Sequence, residues 1–395
     1  MAGTCSPTGH SVSRAVLATS RSRLARCSIS ASKKPITRTA LAASASSSDS
    51  RSTKPSTATR LATWRVRAGP FAPPVGWAGV GPRRIMIGMS YAIDPELTPW
   101  LAMLPQGTTF DDPAKARAGM HEMRAHLPAY TPPVPMTVED VLVPGSPDVP
   151  VRVYRPTGLS GPLPALVNIH GGGFVLGDLD TEHPNALQLS AELGVVLVSV
   201  DYRLAPENPF PAGLEDCYTA LEWVAAKAAE LDVDPARIAV AGERAGGGLA
   251  AALALLARDR GGPALCFQYL GIPELDDRLA TPSMTQFTDT PVWHRPNAEL
   301  SWRYYLGGQP ATQYAAPARA EDLTGLPPAY VSACEFDPLR DEGLVYAHRL
   351  IQAGVPTEVH HFPGTFHGSG MVRAAAVSKR MVAEKLDSLR RALHP

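Results

Sequence analysis

The stretch IAVAGERAGGGLAAALALLARD, residues 238–259, leads a short apolar strand through a glycine-flanked turn into an apolar helix. Gly242 and Gly246 stand two residues to either side of Arg244, at the middle of the turn. Small residues there let a strand pass sharply into a helix without collision, and the turn holds its central residue in a strained conformation above the sheet. The stretch therefore predicts an α/β fold in which residue 244 lies at the apex of the turn, above the sheet.

Apolar strands alternate with helical stretches along most of the chain. We predict strands over 137–143, 149–156, 164–170, 195–202, 237–242, 265–272, 328–334 and 357–362. We predict helices over 183–193, 211–229, 245–259, 340–353 and 370–392. Continuous apolar runs of this length suit strands that are buried on both faces. Their alternation with helices predicts a mostly parallel sheet with helices on both faces.

The first 88 residues differ in composition from the rest. They hold 14 of the 37 Lys and Arg residues and one acidic residue, Asp49, which leaves a net charge of −13 on the remainder. Their Ser-, Thr-, Ala- and Arg-rich sequence has no apolar periodicity and cannot bury enough surface to fold alone. We interpret residues 1–88 as a disordered or non-native extension. It is either upstream DNA translated from a misplaced start, with Met86 or Met89 as the true first residue, or a transit peptide.

The charge and cysteine content exclude several classes of function. An acidic body gives no electrostatic basis for binding nucleic acid or anionic membranes, and no run of about 18 apolar residues predicts a membrane span. The five cysteines are widely spaced and fit neither a zinc site nor a disulfide framework. We therefore expect a cytoplasmic protein without a metal or cofactor, or an organelle-targeted one if residues 1–88 are a genuine transit segment.

Two regions outside the alternation suggest a cap over the sheet. Residues 94–104 and 111–127 read as short amphipathic helices, and the stretch from about 276 to 326 is longer than a usual connection. We predict cap elements over 89–135 and about 276–326, within a domain that spans 89–395. The alternative for the second segment is a surface ornament. Trp293, His294 and Trp302 either line a pocket there or pack in the core.

A glycine-rich turn follows the strand at 164–170. The sequence IHGGGFVLGD places Gly171, Gly172 and Gly173 directly after it. Successive glycines let backbone N–H groups converge on one point, where they can stabilise an oxyanion during acyl transfer. A phosphate site is disfavoured because the dinucleotide spacing of glycines and a Walker lysine are both absent.

Two further groups lie just past the ends of later strands. Asp337 follows the strand at 328–334, and His367 follows the strand at 357–362. The carboxyl ends of strands are where open α/β sheets gather their active groups. We call the glycine-flanked turn at 242–246 the elbow. The elbow, the acid and the histidine follow one another along the chain in the order found in α/β-hydrolases.

Residues 89–395 resemble the hormone-sensitive-lipase-like group of α/β-hydrolases, which includes many carboxylesterases. The resemblance rests on the motifs HGGGF, DYRLAPE, AGGGLAAALAL, DPLRDEG and FHG. It implies an α/β-hydrolase fold with an eight-stranded sheet and a helical cap, and a small-molecule ester or carboxylate as ligand. It also implies Asp337 as catalytic acid, His367 as base, and an oxyanion hole formed by the amides of Gly171, Gly172 and Ala245. Arg203 and Glu207 would be structural polar residues.

The sequence departs from this family at the nucleophile. The family usually reads Gly-Asp-Ser-Ala-Gly-Gly, and this chain reads Gly-Glu-Arg-Ala-Gly-Gly at 242–247. The guanidinium of Arg244 has no hydroxyl, stays protonated and cannot attack a carbonyl. We expect Ser369, Ser332 and Glu243 not to substitute for it, so ester hydrolysis should be severely impaired.

Three interpretations of the chain remain open. It is a carboxylesterase whose sequence at 243–244 carries an error or a very recent mutation. Alternatively, it is a non-catalytic protein that binds small carboxylates through Arg244 and the amides of Gly171 and Gly172. The third interpretation is a decayed, inactive hydrolase without a ligand.

Overall fold

The computed structural model describes residues 91–101, 110–125 and 130–395. Eight strands form one sheet: β1 Met136–Val143, β2 Val149–Pro156, β3 Leu163–Ile169, β4 Val196–Val200, β5 Val233–Glu243, β6 Phe267–Gly271, β7 Ala329–Phe336 and β8 Thr357–Phe366. Their order in the sheet is β1-β2-β4-β3-β5-β6-β7-β8, and only β2 runs antiparallel to the others. The predicted eight-stranded, mostly parallel sheet is therefore confirmed.

The described residues include nine α-helices: α1 Thr98–Leu101, α2 Pro113–Ala125, α3 Leu179–Leu193, α4 Ala212–Ala226, α5 Ala245–Arg260, α6 Pro282–Gln286, α7 Arg295–Leu306, α8 Arg340–Gln352 and α9 Ala376–Leu393. In that part of the chain, none is both long and apolar enough to cross a membrane. The predicted extension at 1–88 lies outside the described residues.

Alternate residues of the central strands serve two different cores. On β3, Val167 packs in the cluster that contains α4, α5 and α8, whereas its neighbour Leu166 packs in the cluster that contains α3 and α9. This follows from the two-residue period of a strand, which sends successive side chains to opposite faces. Both faces of the sheet are thus covered by helices, as the continuous apolar runs predicted.

Several element bounds differ from the prediction. The helix expected from 183 begins at Leu179, because the side chain of Asp178 accepts a hydrogen bond from the amide of Thr181 and caps the helix. The helix expected from 370 begins only at Ala376, after a 3-10 turn over Ser369–Met371. Of the helix expected over 94–104, the described residues show only α1.

Candidate active site

The turn after β3 consists of glycines because side chains do not fit there. Gly172 has a φ of 133° and Gly173 a φ of 59°, a region that other residues rarely adopt. A Cβ on Gly172 would lie 2.1 Å from the carbonyl oxygen of Leu176, and one on Gly173 would lie 2.7 Å from the Trp293 ring. In the described chain, the amides of Gly171 and Gly172 donate no hydrogen bond, which leaves them open to an anionic oxygen.

Arg244 lies at the apex of the turn between β5 and α5. Its backbone has φ 61° and ψ −125°, a strained conformation that costs about 1–3 kcal/mol. The flanking glycines make the turn possible, because a Cβ on Gly242 would lie 2.1 Å from the oxygen of Gly246, and one on Gly246 would lie 2.2 Å from the oxygen of Ile169. A 2.8 Å hydrogen bond from the amide of Arg244 to the oxygen of Gly271 fixes the apex against β6.

Asp337 and His367 form a buried pair at the ends of β7 and β8. The Nδ1 atom of His367 lies 2.8 Å from Oδ2 of Asp337, and the side chains are 3% and 1% exposed. The other carboxylate oxygen of Asp337 accepts a hydrogen bond from the amide of Leu339. With Nδ1 donating to the carboxylate, Nε2 of the imidazole is left as the proton acceptor.

The elbow lies against both the glycine turn and the histidine loop. A Cβ on Gly171 would lie 3.3 Å from Cβ and Cδ of Arg244, and a Cβ on Gly368 would lie 3.4 Å from its Nη2 atom. Since Gly368 directly follows His367, the guanidinium stands beside the imidazole loop. The structure thus brings together four segments: the turn with Arg244 and the amide of Ala245, the glycine turn, the loop of Asp337 and the loop of His367.

The other oxygen-bearing side chains near the elbow are already engaged. Ser369 donates its hydroxyl to the oxygen of Phe366, and the hydroxyl of Ser332 accepts from the amide of Ile272. Glu243 forms a 3.0 Å salt bridge with Lys385. Burial alone would raise the pKa of Glu243, but the positive charges of Lys385 and Arg244 lower it to about 2. Each of these groups is therefore held by a partner other than His367.

The aromatic residues that cover the pair of Asp337 and His367 come from the two segments predicted as a cap. Trp293 stacks on His367 with ring centroids 5.5 Å apart, and Phe110 packs edge-on against Trp293 at 5.1 Å. Trp302 instead packs in the core against Phe174, and His294 is the N-terminal flanking residue of α7. Of the three pocket candidates, only Trp293 contacts the candidate catalytic pair.

Arg203 and Glu207 make structural contacts. Arg203 donates several hydrogen bonds to Asp216 of α4, and Glu207 forms a two-pronged pair with Arg117 of α2. The pair between Glu207 and Arg117 ties the loop after β4 to a predicted cap helix. Across the residues that the structure describes, no cluster of three or more His, Cys, Asp or Glu side chains is arranged to hold a metal ion.

Two features near the site were missed by the sequence analysis. Glu274 is buried, and this burial raises its pKa to about 8. Arg124 and Arg373 line one cavity together with Arg244. Neither feature has a local signal, because each depends on contacts between distant parts of the chain.

The fold and the arrangement of these residues define a class of protein. Residues 166–371 match the family model described as the alpha/beta hydrolase fold, so the chain belongs to that family, in its hormone-sensitive-lipase-like group. The sheet and the glycine-flanked elbow are its structural basis.

The chain is similar to several esterases over nearly the whole length of those proteins. The chain is 42% identical to the carboxylesterase NlhH of Mycobacterium tuberculosis over 76% of this chain and 97% of the relative. It is 39% identical to the esterase LipI of the same organism, over 74% and 94%. A solved bacterial heroin esterase superposes with a TM-score of 0.73 at 50% identity, over 77% of this chain and 99% of that one. By homology the chain is a carboxylesterase-type hydrolase.

Proposed function

We propose that this chain retains the site of a carboxylesterase but hydrolyses esters only very slowly, because position 244 carries no attacking oxygen. The observation that carries the proposal is Arg244 at the apex of an otherwise complete elbow, with φ 61°. The hydrogen-bonded pair of Asp337 and His367 supports the same interpretation, since it has the geometry of a general base and its orienting acid.

The proposed chemistry with a serine at position 244 is acyl transfer. The serine oxygen would attack the ester carbonyl carbon while Nε2 of His367 takes its proton. Asp337 would hold the imidazole and stabilise its positive charge, and the amides of Gly171, Gly172 and Ala245 would donate to the oxyanion. His367 would return the proton to the leaving alcohol, and water would then release the acid by the same route.

Arginine at position 244 blocks this sequence at its first step. No bond to the carbonyl carbon can form, because a guanidinium is a protonated donor without a usable lone pair. Its side chain also stands beside the loop of His367, where the substrate would have to enter. Loss of a triad nucleophile typically lowers turnover by about 10⁶-fold and leaves about 10³–10⁴-fold catalysis over water.

Steady-state hydrolysis of p-nitrophenyl butyrate tests the proposal. The protein should be at least about 10³-fold slower in kcat than its Arg244→Ser variant. Arg244→Ala is the matched control, because it removes the guanidinium without adding a hydroxyl and should stay slow. Equal rates for the protein and Arg244→Ser would overturn the proposal, as would an Arg244→Ser variant that folds and remains inactive.

A second candidate function is the binding of small carboxylates at the same site. It is favoured by the Nε atom of Arg244, which is buried and has no hydrogen-bond partner in the described ranges. A carboxylate could accept from that guanidinium and from the amides of Gly171 and Gly172. Calorimetry should show saturable binding of butyrate that is lost in Arg244→Ala, and identical titrations of both proteins would exclude this function.

We further infer a cytoplasmic location. Cys217, Cys266 and Cys334 are free thiols, which suits a reducing compartment. Imaging a fluorescent fusion of the full chain tests this inference, and accumulation in an organelle would contradict it.

A further inference from the structure

A charged cavity opens beside Arg244, between α3, α9 and the loop after His367. Its volume is about 110 Å³. Six charged side chains line it: Arg124, Arg244, Arg373, Lys385, Glu182 and Glu243. Four are cationic and two are carboxylates, so the lining carries a net charge of +2.

The two carboxylates in the lining are committed to other partners. Glu182 accepts hydrogen bonds from the side-chain amides of Asn168 and Asn185. Glu243 forms its 3.0 Å salt bridge with Lys385, which is itself buried. The lysine charge is therefore neutralised within the protein, and neither carboxylate forms a salt bridge with an arginine of the cavity.

The three arginines of the lining differ from the lysine, because they have no partner among the residues that the structure describes. Their guanidiniums form no hydrogen bond or salt bridge within the ranges that the structure describes. Arg124 and Arg244 are half-buried and Arg373 is exposed at the mouth. Burial lowers the pKa of Arg124, and the charges of Arg244 and Arg373 lower it further although Glu182 opposes them. Like charges gathered in a partly buried cavity repel one another unless an anion lies between them.

We propose that this cavity binds a small dianion, with Arg244 at its base, Arg124 on its wall and Arg373 at its mouth. The cavity shares Arg244 with the second candidate function, but Gly171 and Gly172 do not line it, so the inference goes beyond that function and specifies a different ligand class. Arginine forks match the paired oxygens of phosphate and carboxylate groups. A single carboxylate would compensate half of the lining's charge of +2, whereas a phosphate group or a short dicarboxylate compensates all of it.

Titration calorimetry with inorganic phosphate, succinate and acetate tests the inference. The ionic strength is held constant, because added salt would otherwise screen the charges. At least one dianion should bind saturably and at least tenfold more tightly than acetate. Arg124→Gln and Arg244→Gln should each weaken that binding roughly tenfold to a hundredfold, the usual range for one charged hydrogen-bonding group. Lys379→Gln is the matched control, because Lys379 is exposed on α9 and does not line the cavity.

The outcomes separate this inference from the functions proposed above. Preference for phosphate or for succinate supports the inference and identifies the ligand class. Acetate binding as tightly as both dianions would overturn it and leave the carboxylate binder standing. If no anion binds, or if Arg124→Gln binds like the protein, the inference fails. Ester hydrolysis by Arg244→Ser is a separate readout, so the esterase proposal stands or falls independently.

Discussion

The imidazole of His367 is hydrogen-bonded to the carboxylate of Asp337 at 2.8 Å, although Arg244 at the elbow has no hydroxyl proton for it to remove. Both side chains are almost fully buried, and the imidazole is stacked under Trp293. This pair is oriented as a general base needs to be, and the chain has kept its geometry in the presence of an arginine at position 244.

Asp337→Asn should lower activity only where a nucleophile is present. In the Arg244→Ser background, kcat should fall by about 10⁴-fold, because the amide favours the wrong imidazole tautomer. The melting temperature should change little, since the amide oxygen can still accept from Leu339. Asp277→Asn is the control, because Asp277 pairs with Arg319 and is not part of the site. Equal losses from both substitutions would contradict the assigned role.

Two glycine substitutions in helices should have opposite effects on stability. Gly246→Ala should destabilise the protein by about 1–3 kcal/mol or more, because its Cβ would lie 2.2 Å from the oxygen of Ile169. Gly119→Ala in α2 should stabilise it by up to about 1 kcal/mol, because nothing lies within 4 Å of the added Cβ. Urea denaturation measures both, and a stable Gly246→Ala variant would contradict the described elbow.

Glu274 should make stability depend on pH. Burial raises its pKa to about 8, from the ordinary value of 4.5. The folded state therefore holds a proton that the unfolded state releases, and stability should fall as pH rises from about 4.5 to about 8. Glu274→Gln should remove this dependence of stability on pH. The melting temperature of Glu274→Gln minus that of the protein should therefore grow as pH rises from about 4.5 to about 8, and stay constant above that. The exposed Glu321→Gln is the control, and parallel melting profiles for the protein and Glu274→Gln would refute the assignment.

The sequence predicts the scaffold of the site well because its signals are local. Gly242, Gly246 and the glycines at 171–173 mark positions where a Cβ would collide with backbone or with a ring, and such steric requirements are visible in a short stretch. Asp337 and His367 are found by their places after apolar strands, since parallel strands bring their carboxyl ends to one edge.

The rest of the site depends on contacts that no local pattern contains. Arg124, Arg244 and Arg373 belong to α2, the elbow and the loop after β8, and only the fold brings them to one cavity. The raised pKa of Glu274 likewise follows from the packing around it. The late start of α9 depends partly on Glu96, which accepts a hydrogen bond from the amide of Ala376 across 280 residues.

The absence of an attacking oxygen at position 244 is tested most directly by covalent labelling. A fluorophosphonate forms an oxygen–phosphorus bond with an activated serine and releases fluoride. Intact-mass measurement should show one phosphonyl group on Arg244→Ser, at position 244, and none on the protein itself under the same conditions. A phosphonyl adduct on the unsubstituted chain, at a serine near His367, would contradict the account, because another residue would then supply the nucleophile.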